Sequence, residues 1–260
     1  MLTEKHKKMG KPIVFFDLET TGKPGNLANI RIIEISARKV DPDTLDEIDH
    51  YYRKCNNGNV PIDKSASDTH GMTEEDLIGL PTFEEKAKEV FDFFDGCDVG
   101  GYYCSLFDIP ILYYSFLRAG LTWDYKNLKN YDIHTLYTKY NSGKLVDVYK
   151  RYTGKDLENA HAADADIEAT IEVYKEMLKR KEVFEDEETS TFKNQLDMPG
   201  NFKIRVNESG AKEVYIDFGK WKGRNIDEVE TSYFKWMFEN GDFPQDTRYY
   251  AKKIYESKQK

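Results

Sequence analysis

Cysteine is scarce in this 260-residue chain, with Cys55, Cys97 and Cys104 as its whole complement. Three is an odd number, and the spacing is not that of a thiolate metal site. A disulfide framework is therefore not expected, and reduced thiols in a cytoplasm are. Long apolar runs are missing as well. None reaches the length of a bilayer span, so no membrane association is expected. The basic start MLTEKHKKMGKPIVFFD leads into a short apolar stretch closed by an acid, which does not read as a signal peptide. Positive charge is in short supply, 38 Lys and Arg against 47 Asp and Glu, for a net charge of -9. That balance speaks against a protein that binds polyanions through its whole field, so any contact with nucleic acid must be local. The excess is also uneven. From Gly200 onward there are 12 basic and 10 acidic residues, which leaves 26 and 37 for the first 199. Repeats and low-complexity tracts are absent, which excludes solenoids and fibrous classes.

What is present is patterned. The run VFFDLETTG (14–22) reads as a buried strand, and IRIIEISARKV (30–40) and EIDHYYRKC (47–55) as two long strands around the turn DPDTLD. A polar connection follows from Pro61 to Thr82. FEEKAKEVFDFF then has helical spacing, with Ala87, Val90, Phe91 and Phe94 on one face. CDVGGYY is a short strand. DIPILYYSFLRAG is a helix with Asp108 near its N-cap, Pro110 in its first turn and Gly120 closing it. KLVDVYKRYTG is a helix stopped by Gly154, and AADADIEATIEVYKEMLKRKEVF is the longest and most regular. Strands first, then strand–helix alternation, indicate an α/β sheet of mixed direction over residues 10–184. The acidic stretch 185–195 reads as a linker. Beyond it, 196–258 holds two short strands, NFKIRV and EVYIDFG, and an aromatic helix near SYFKWMFEN, a small α+β domain.

Asp17 and Glu19 lie two apart in a strand, and so share a face. Burying two carboxylates side by side costs several kcal/mol per ion (roughly, per group) unless a cation compensates. Either the strand end lies in water there, or a cation belongs there. Asp108, at a helix start just after a strand, is a distant partner in the place where open α/β sheets gather functional groups; its ordinary alternative is an N-cap. In HAADAD (161–166) helical phase separates the acids. Asp164 joins Glu168, Glu172, Lys175 and Lys179 on a stripe read as a solvated face. Asp166 falls with Ile167, Thr170, Val173 and Met177 on the inward side, where an acid needs a partner. His161, five residues earlier, reaches a shared site only from the loop before the helix; otherwise it is a surface or packed histidine.

Taken together, FDLETTG, LFD ahead of a helix and the His-x4-Asp of the last helix resemble the three motifs of the DnaQ-like DEDDh 3′–5′ exonuclease family, which includes the proofreading (epsilon) subunit of DNA polymerase III. The resemblance covers residues 12–182, and SDTHGMTEEDL resembles the family's His-Gly connection. It implies a ribonuclease H-like fold, a mixed five-stranded sheet flanked by helices, with two divalent cations, Mg²⁺ or Mn²⁺. Carried over, Asp17, Glu19 and Asp166 would hold one ion, Asp17 would bridge to the second, Asp108 would assist through water, and His161 would be the general base. Carboxylate oxygen suits hard cations, two ions suit an in-line phosphoryl displacement, and an imidazole suits proton transfer near neutral pH. The terminal nucleotide's pocket would involve Leu18, Thr20 and Thr21, with His70 and Phe107. Each also has an ordinary reading: a packed Leu and Phe, hydroxyls serving backbone, a turn histidine. One departure is plain. The family usually carries Asn four or five residues before the second-motif aspartate, where this chain has Tyr103 or Cys104. The tyrosine-rich HYYRK, GGYYC and LYYSF are read mostly as core.

Residues 196–257, through DFGKWKG and YFKWM, resemble the small module of exonuclease X-like proteins. Lys220, Trp221, Lys222 and Arg224 could clamp a single strand, or form a turn whose Trp packs on its own core. The expected function is therefore 3′–5′ exonuclease action on DNA, single-stranded or frayed, releasing nucleoside 5′-monophosphates. The alternatives are an exoribonuclease or oligoribonuclease with the same chemistry, and a non-catalytic nucleic-acid-binding protein of the same fold. A proofreading or repair role would need a separate polymerase or repair partner.

Overall fold

The computed structural model describes residues 10–22, 29–138, 143–183, 189 and 192–259. The chain forms two compact units, with the main division between Ser190 and Thr191. In the larger unit, β1 (Ile13–Thr20), β2 (Ile32–Val40), β3 (Glu47–Lys54), β4 (Asp98–Gly101) and β5 (Asn130–Asp132) form one sheet of order β3-β2-β1-β4-β5. β1 and β3 run antiparallel to β2, whereas β4 runs parallel to β1 and β5 parallel to β4. This is the mixed five-stranded sheet expected of a ribonuclease H-like fold. Its helices are α1 (Lys64–His70), α2 (Phe83–Phe94), α3 (Asp108–Arg118), α4 (Ile133–Thr138), α5 (Leu145–Thr153) and α6 (Ala163–Lys179).

The central strand sets the plan. Phe15 belongs to a cluster with Tyr131, Leu136, Val148, Ile167, Tyr174 and Met177, so α4, α5 and α6 cover its face. Phe16 points the other way, edge-on to Phe94 at 5.1 Å, and Phe94 and Phe116 both meet Trp123, so α2 and α3 cover that face. Alternation then puts Asp17 and Glu19 on the Phe15 side, along the line of α6. β3 is the exposed edge. Its tyrosines are not core: Tyr51 leans on Phe93 and Tyr52 is exposed. The charges along this strand discourage pairing with another chain.

Helix α2 starts with a full capping box, Thr82 with Glu85, and buries Phe83, Ala87, Val90 and Phe94, while Phe91 is only half-buried. Gly71 and Gly154 close α1 and α5 in left-handed backbone, at φ 74° each. Of the stretch 185–195, residues 185–188, 190 and 191 lie outside the described residues. Where it is described it is held. Thr189 donates from N to the Asn130 carbonyl at 2.7 Å, and Phe192 and Gln195 are buried.

The smaller unit pairs β6 (Phe202–Val206) with β7 (Lys212–Ile216) and packs α7 (Thr231–Glu239) and α8 (Gln245–Ser257) on a core of Phe202, Ile216, Val229, Phe234, Met237 and Ile254. Two buried acids staple α8 to the segment before β6. Asp197 accepts from Phe202 N and Thr247 Oγ1, and Asp246 accepts from Met198 N and Thr247 N. Among the described residues no helix is long and apolar enough to cross a membrane.

Candidate active site

The site forms where β1 outruns its parallel neighbour. β4 pairs with β1 only as far as Phe15–Gly100, then turns away. The two glycines at its end permit this. A Cβ on Gly100 would lie 2.6 Å from the Phe15 ring, and one on Gly101 would lie 2.8 Å from Cys104 Cβ and 2.9 Å from the Phe16 carbonyl. The chain therefore folds back close under β1, and the Leu18 backbone N–H is left without a strand partner on that side. Asp108 takes that place. Its Oδ1 accepts from Leu18 N at 3.0 Å, 90 residues away in sequence, and it is 2% exposed. The ordinary N-cap reading of Asp108 is thus corrected. It is the first residue of α3, Phe107 holds the cap position, and the carboxylate reaches across to the central strand.

Asp166 comes from the first turn of α6, on its inward side as helical phase requires. Its Oδ2 accepts from His161 N at 3.3 Å, while its Oδ1 is buried with no hydrogen-bond partner. His161 lies in the turn before α6 with φ 70°, a left-handed conformation that His tolerates better than most residues. Its side chain is exposed. Asp164 lies on the outward, partly exposed stripe as phase requires, but it is not left to solvent alone. Asp164 accepts from Ser36 Oγ at 3.0 Å and from Arg38 Nη2 at 2.8 Å, which fastens the start of α6 to β2. Arg38 also pairs with Glu47 and Glu168.

Electrostatics couple the acids in pairs. Burial first, then Asp166 and Glu34, push the Asp17 carboxyl up to about 8. Burial, then Asp17, Glu34 and Asp166, push Glu19 up to about 9. Asp108 is raised well above the carboxylate range by burial and by Asp17, against the pull of the Leu18 N–H. Asp166 is raised by burial, against the His161 N–H. In a cation-free protein such a cluster keeps protons it would lose in water. Among the described residues, no three His, Cys, Asp or Glu side chains already close around one point. The donor set nevertheless fits a hard divalent cation: all oxygen, mutually repelling, with one buried oxygen of Asp166 unpartnered.

Two acids of the site escape a motif-based reading. Glu34 lies opposite Glu19 on the β1–β2 ladder and is 6% exposed. Burial raises it, and Lys54 Nζ at 3.7 Å, the Tyr52 hydroxyl and the Ala163 N–H oppose that. The signal was an acid inside the apolar run IIEIS. Asp132 is buried and accepts from Tyr103 N at 3.1 Å, Ser105 N at 3.0 Å and Thr135 N at 3.1 Å, so it fixes the loop that delivers Asp108. An acid closing a three-residue strand was its only trace.

The expected nucleotide-pocket residues are engaged within the fold. Leu18 is buried on the Phe16 face by alternation. Thr20 Oγ1 donates to the Gly22 carbonyl at 2.8 Å, and Thr21 Oγ1 accepts from Arg31 N at 3.0 Å. His70 ends α1. Its Nδ1 accepts from Met72 N at 3.1 Å, and its Nε2 is buried without a hydrogen-bond partner. Burial lowers its pKa, against the nearby Thr20 carbonyl. Phe107 is half-buried. In the smaller unit Trp221 packs against its own core, Lys220 Nζ sits 5.1 Å from that ring, Lys222 faces Asp217 at 3.5 Å and Arg224 faces Glu228 at 3.0 Å.

Zinc-bound E. coli exonuclease I in complex with single-stranded DNA resembles this structure with a TM-score of 0.58 at 21% identity, over 66% of this chain and 41% of that one. E. coli exonuclease I with a dA16 oligonucleotide gives 0.55 at 20% identity, over 65% and 41%. A product-bound exonuclease I gives 0.56 at 18% identity, over 66% and 44%. This chain thus spans well under half the length of those proteins, and at such identity the likeness establishes the fold alone. No curated protein sequence matches the chain. Residues 14–174, more than half of it, match the RNase_T exonuclease model. The chain belongs to that exonuclease family, DnaQ-like in its ribonuclease H-like fold, whose members generally use divalent metal ions.

Proposed function

We propose that this protein is a metal-dependent 3′–5′ exonuclease of the DEDDh type, acting on DNA that is single-stranded or frayed. One observation carries the reading: beyond burial, Asp17 feels Asp166, Glu19 feels Asp17 and Asp166, and Asp108 feels Asp17, while Asp108 is tied to the Leu18 N–H and one buried oxygen of Asp166 has no hydrogen-bond partner. Family membership supports nuclease chemistry, and the solved exonuclease I complexes with single-stranded DNA support that substrate.

Two divalent cations, Mg²⁺ or Mn²⁺, held by these four acids would stabilise charge on the attacking and leaving oxygens of a phosphodiester. The chain's own residues do the rest. The strand fixes Asp17 and Glu19 side by side, and the Leu18 N–H fixes Asp108. His161, on the turn tied to Asp166, takes the proton from the attacking water. The water oxygen bonds to phosphorus as the bond from phosphorus to the 3′ oxygen breaks, and the leaving 3′ oxygen takes a proton from solvent water. A nucleoside 5′-monophosphate leaves, and the shortened strand keeps a 3′ hydroxyl. Leu18, Thr20, Thr21, His70 and Phe107 remain proposed as surroundings of the terminal nucleotide, the two threonines through backbone and shape, since their hydroxyls are engaged within the fold. Lys220, Lys222 and Arg224, with Trp221 as their base, are proposed as phosphate contacts.

The test uses matched 5′-labelled single-stranded DNA and RNA of one sequence, with EDTA and Asp17→Ala as controls. The expected result is a metal-dependent ladder on DNA that shortens from the 3′ end, with Asp17→Ala slower by on the order of 10²–10³-fold or more. A ladder mainly on RNA would move the assignment to an exoribonuclease. No ladder on either, with Mn²⁺ also tried, would leave a non-catalytic binding protein.

A further inference from the structure

Tyr103 or Cys104 stands where the family usually carries Asn; of the two, Cys104 is buried and the exposed one is Tyr103. Its φ is 64°, in the left-handed region that Asn adopts readily and that a bulky aromatic residue rarely does. The conformation is enforced. Asp132 accepts from Tyr103 N and Ser105 N, the buried Cys104 thiol faces Asn130 Oδ1 at 3.4 Å, and Asn130 Nδ2 donates to Ser105 Oγ at 2.7 Å. One side of the turn is therefore pinned to β5. The other side is turned outward: Leu106 N donates to the Tyr103 carbonyl at 3.3 Å, and the two side chains are 44% and 65% exposed. The His134 ring meets Tyr103 edge-on, at 5.0 Å and 89°, and holds the phenol ring in place. A strained backbone that presents an aromatic ring to solvent, five residues before a carboxylate of the acidic site, is poor design for stability alone.

We propose that Tyr103, with Leu106 beside it, is the stacking platform for an unpaired base of the nucleic-acid strand that enters the acidic site. The proposal rests on the reading of that site as acting on single-stranded nucleic acid. Every base offers a π face, so the platform would be indifferent to sequence and would favour strands whose bases are free. A duplex without a frayed end offers it nothing.

Fluorescence anisotropy of a 5′-labelled oligothymidylate, with no divalent ion so that nothing is cleaved, compares the full chain with Tyr103→Asn and Tyr103→Phe. Thermal melting is read on all three. Tyr103→Asn is expected to raise Kd roughly 5- to 150-fold, without lowering the melting temperature, because Asn suits the left-handed backbone. Tyr103→Phe keeps the ring and is expected to keep the wild-type Kd. An oligomer of abasic residues should bind all three alike. An unchanged Kd for Tyr103→Asn would overturn the proposal, as would Tyr103→Phe binding as weakly as Tyr103→Asn. Because binding is read apart from turnover, a wild-type protein that binds but yields no ladder would sink the exonuclease reading and leave the platform standing.

Discussion

Burial and neighbouring acids raise Asp17 and Glu19 on folding. Their folded pKa values, about 8 and about 9, lie above those of an unfolded carboxyl. A group raised on folding contributes stability that is complete below its unfolded pKa and is lost as pH rises through its folded one. The cation-free protein is therefore expected to melt at progressively lower temperature from about pH 6 to about pH 9, followed by calorimetry in EDTA. Saturating Mn²⁺ should flatten that slope, since a bound cation replaces the protons. A slope of the opposite sign in EDTA would contradict the electrostatic account. At the same scale, Asp166 and Asp164 show how far phase reasoning reaches. Two acids two residues apart on α6 were sorted correctly into inward and outward. The outward one still found Arg38, because a long guanidinium on β2 spans a gap that no pattern on α6 announces.

Among the elements, the turn from β4 into α3 is the most demanding. Gly101→Ala places a methyl against Cys104 and the Phe16 carbonyl, both within 3 Å. Overpacking of this kind is expected to cost about 1–3 kcal/mol in urea denaturation. Activity should fall further than stability does, because the displaced loop carries Asp108. Equal stability of the variant and the parent would show that the loop has room to spare. The long strands, α2, α3, α5 and α6 were legible because each is long enough for period 2 or period 3.6 to repeat, and because Thr82, Gly120 and Gly154 mark ends. β5 was not, since three residues cannot show an alternation. Helix α1 hid in the polar run KSASDTH, where only Ala66 is buried. Helix α8 hid because QDTRYYAKKIYES is mostly polar and is fixed through Asp197 and Asp246, a tertiary network without a local signature. At the site, the strand pair and the His-x4-Asp carried most of the legible signal. Glu34 and Asp132 were missed because their roles arise from cross-strand and loop partners.

Across the whole molecule, a net charge of -9 means that attraction to a polyanion must come from patches and not from the overall field. If Lys220, Lys222 and Arg224 each neutralise one phosphate of a single strand, their joint replacement by Ala should flatten the dependence of log K on log salt by about 2, at roughly 0.7 per contact. A slope unchanged in filter binding would assign these residues no part in holding the strand, which the pairing of Lys222 with Asp217 and of Arg224 with Glu228 would then explain.

On the proposed function, the acids of β1, α3 and α6 take up a divalent cation. Titration with Mn²⁺ near pH 7.5 in weak buffer, with proton release recorded alongside binding, tests it most directly. Because burial and neighbouring acids push Asp17 up to about 8 and Glu19 up to about 9 in the cation-free state, binding should release protons, and Asp17→Asn should reduce both release and affinity. Binding without proton release, or release unchanged by Asp17→Asn, would contradict the claim.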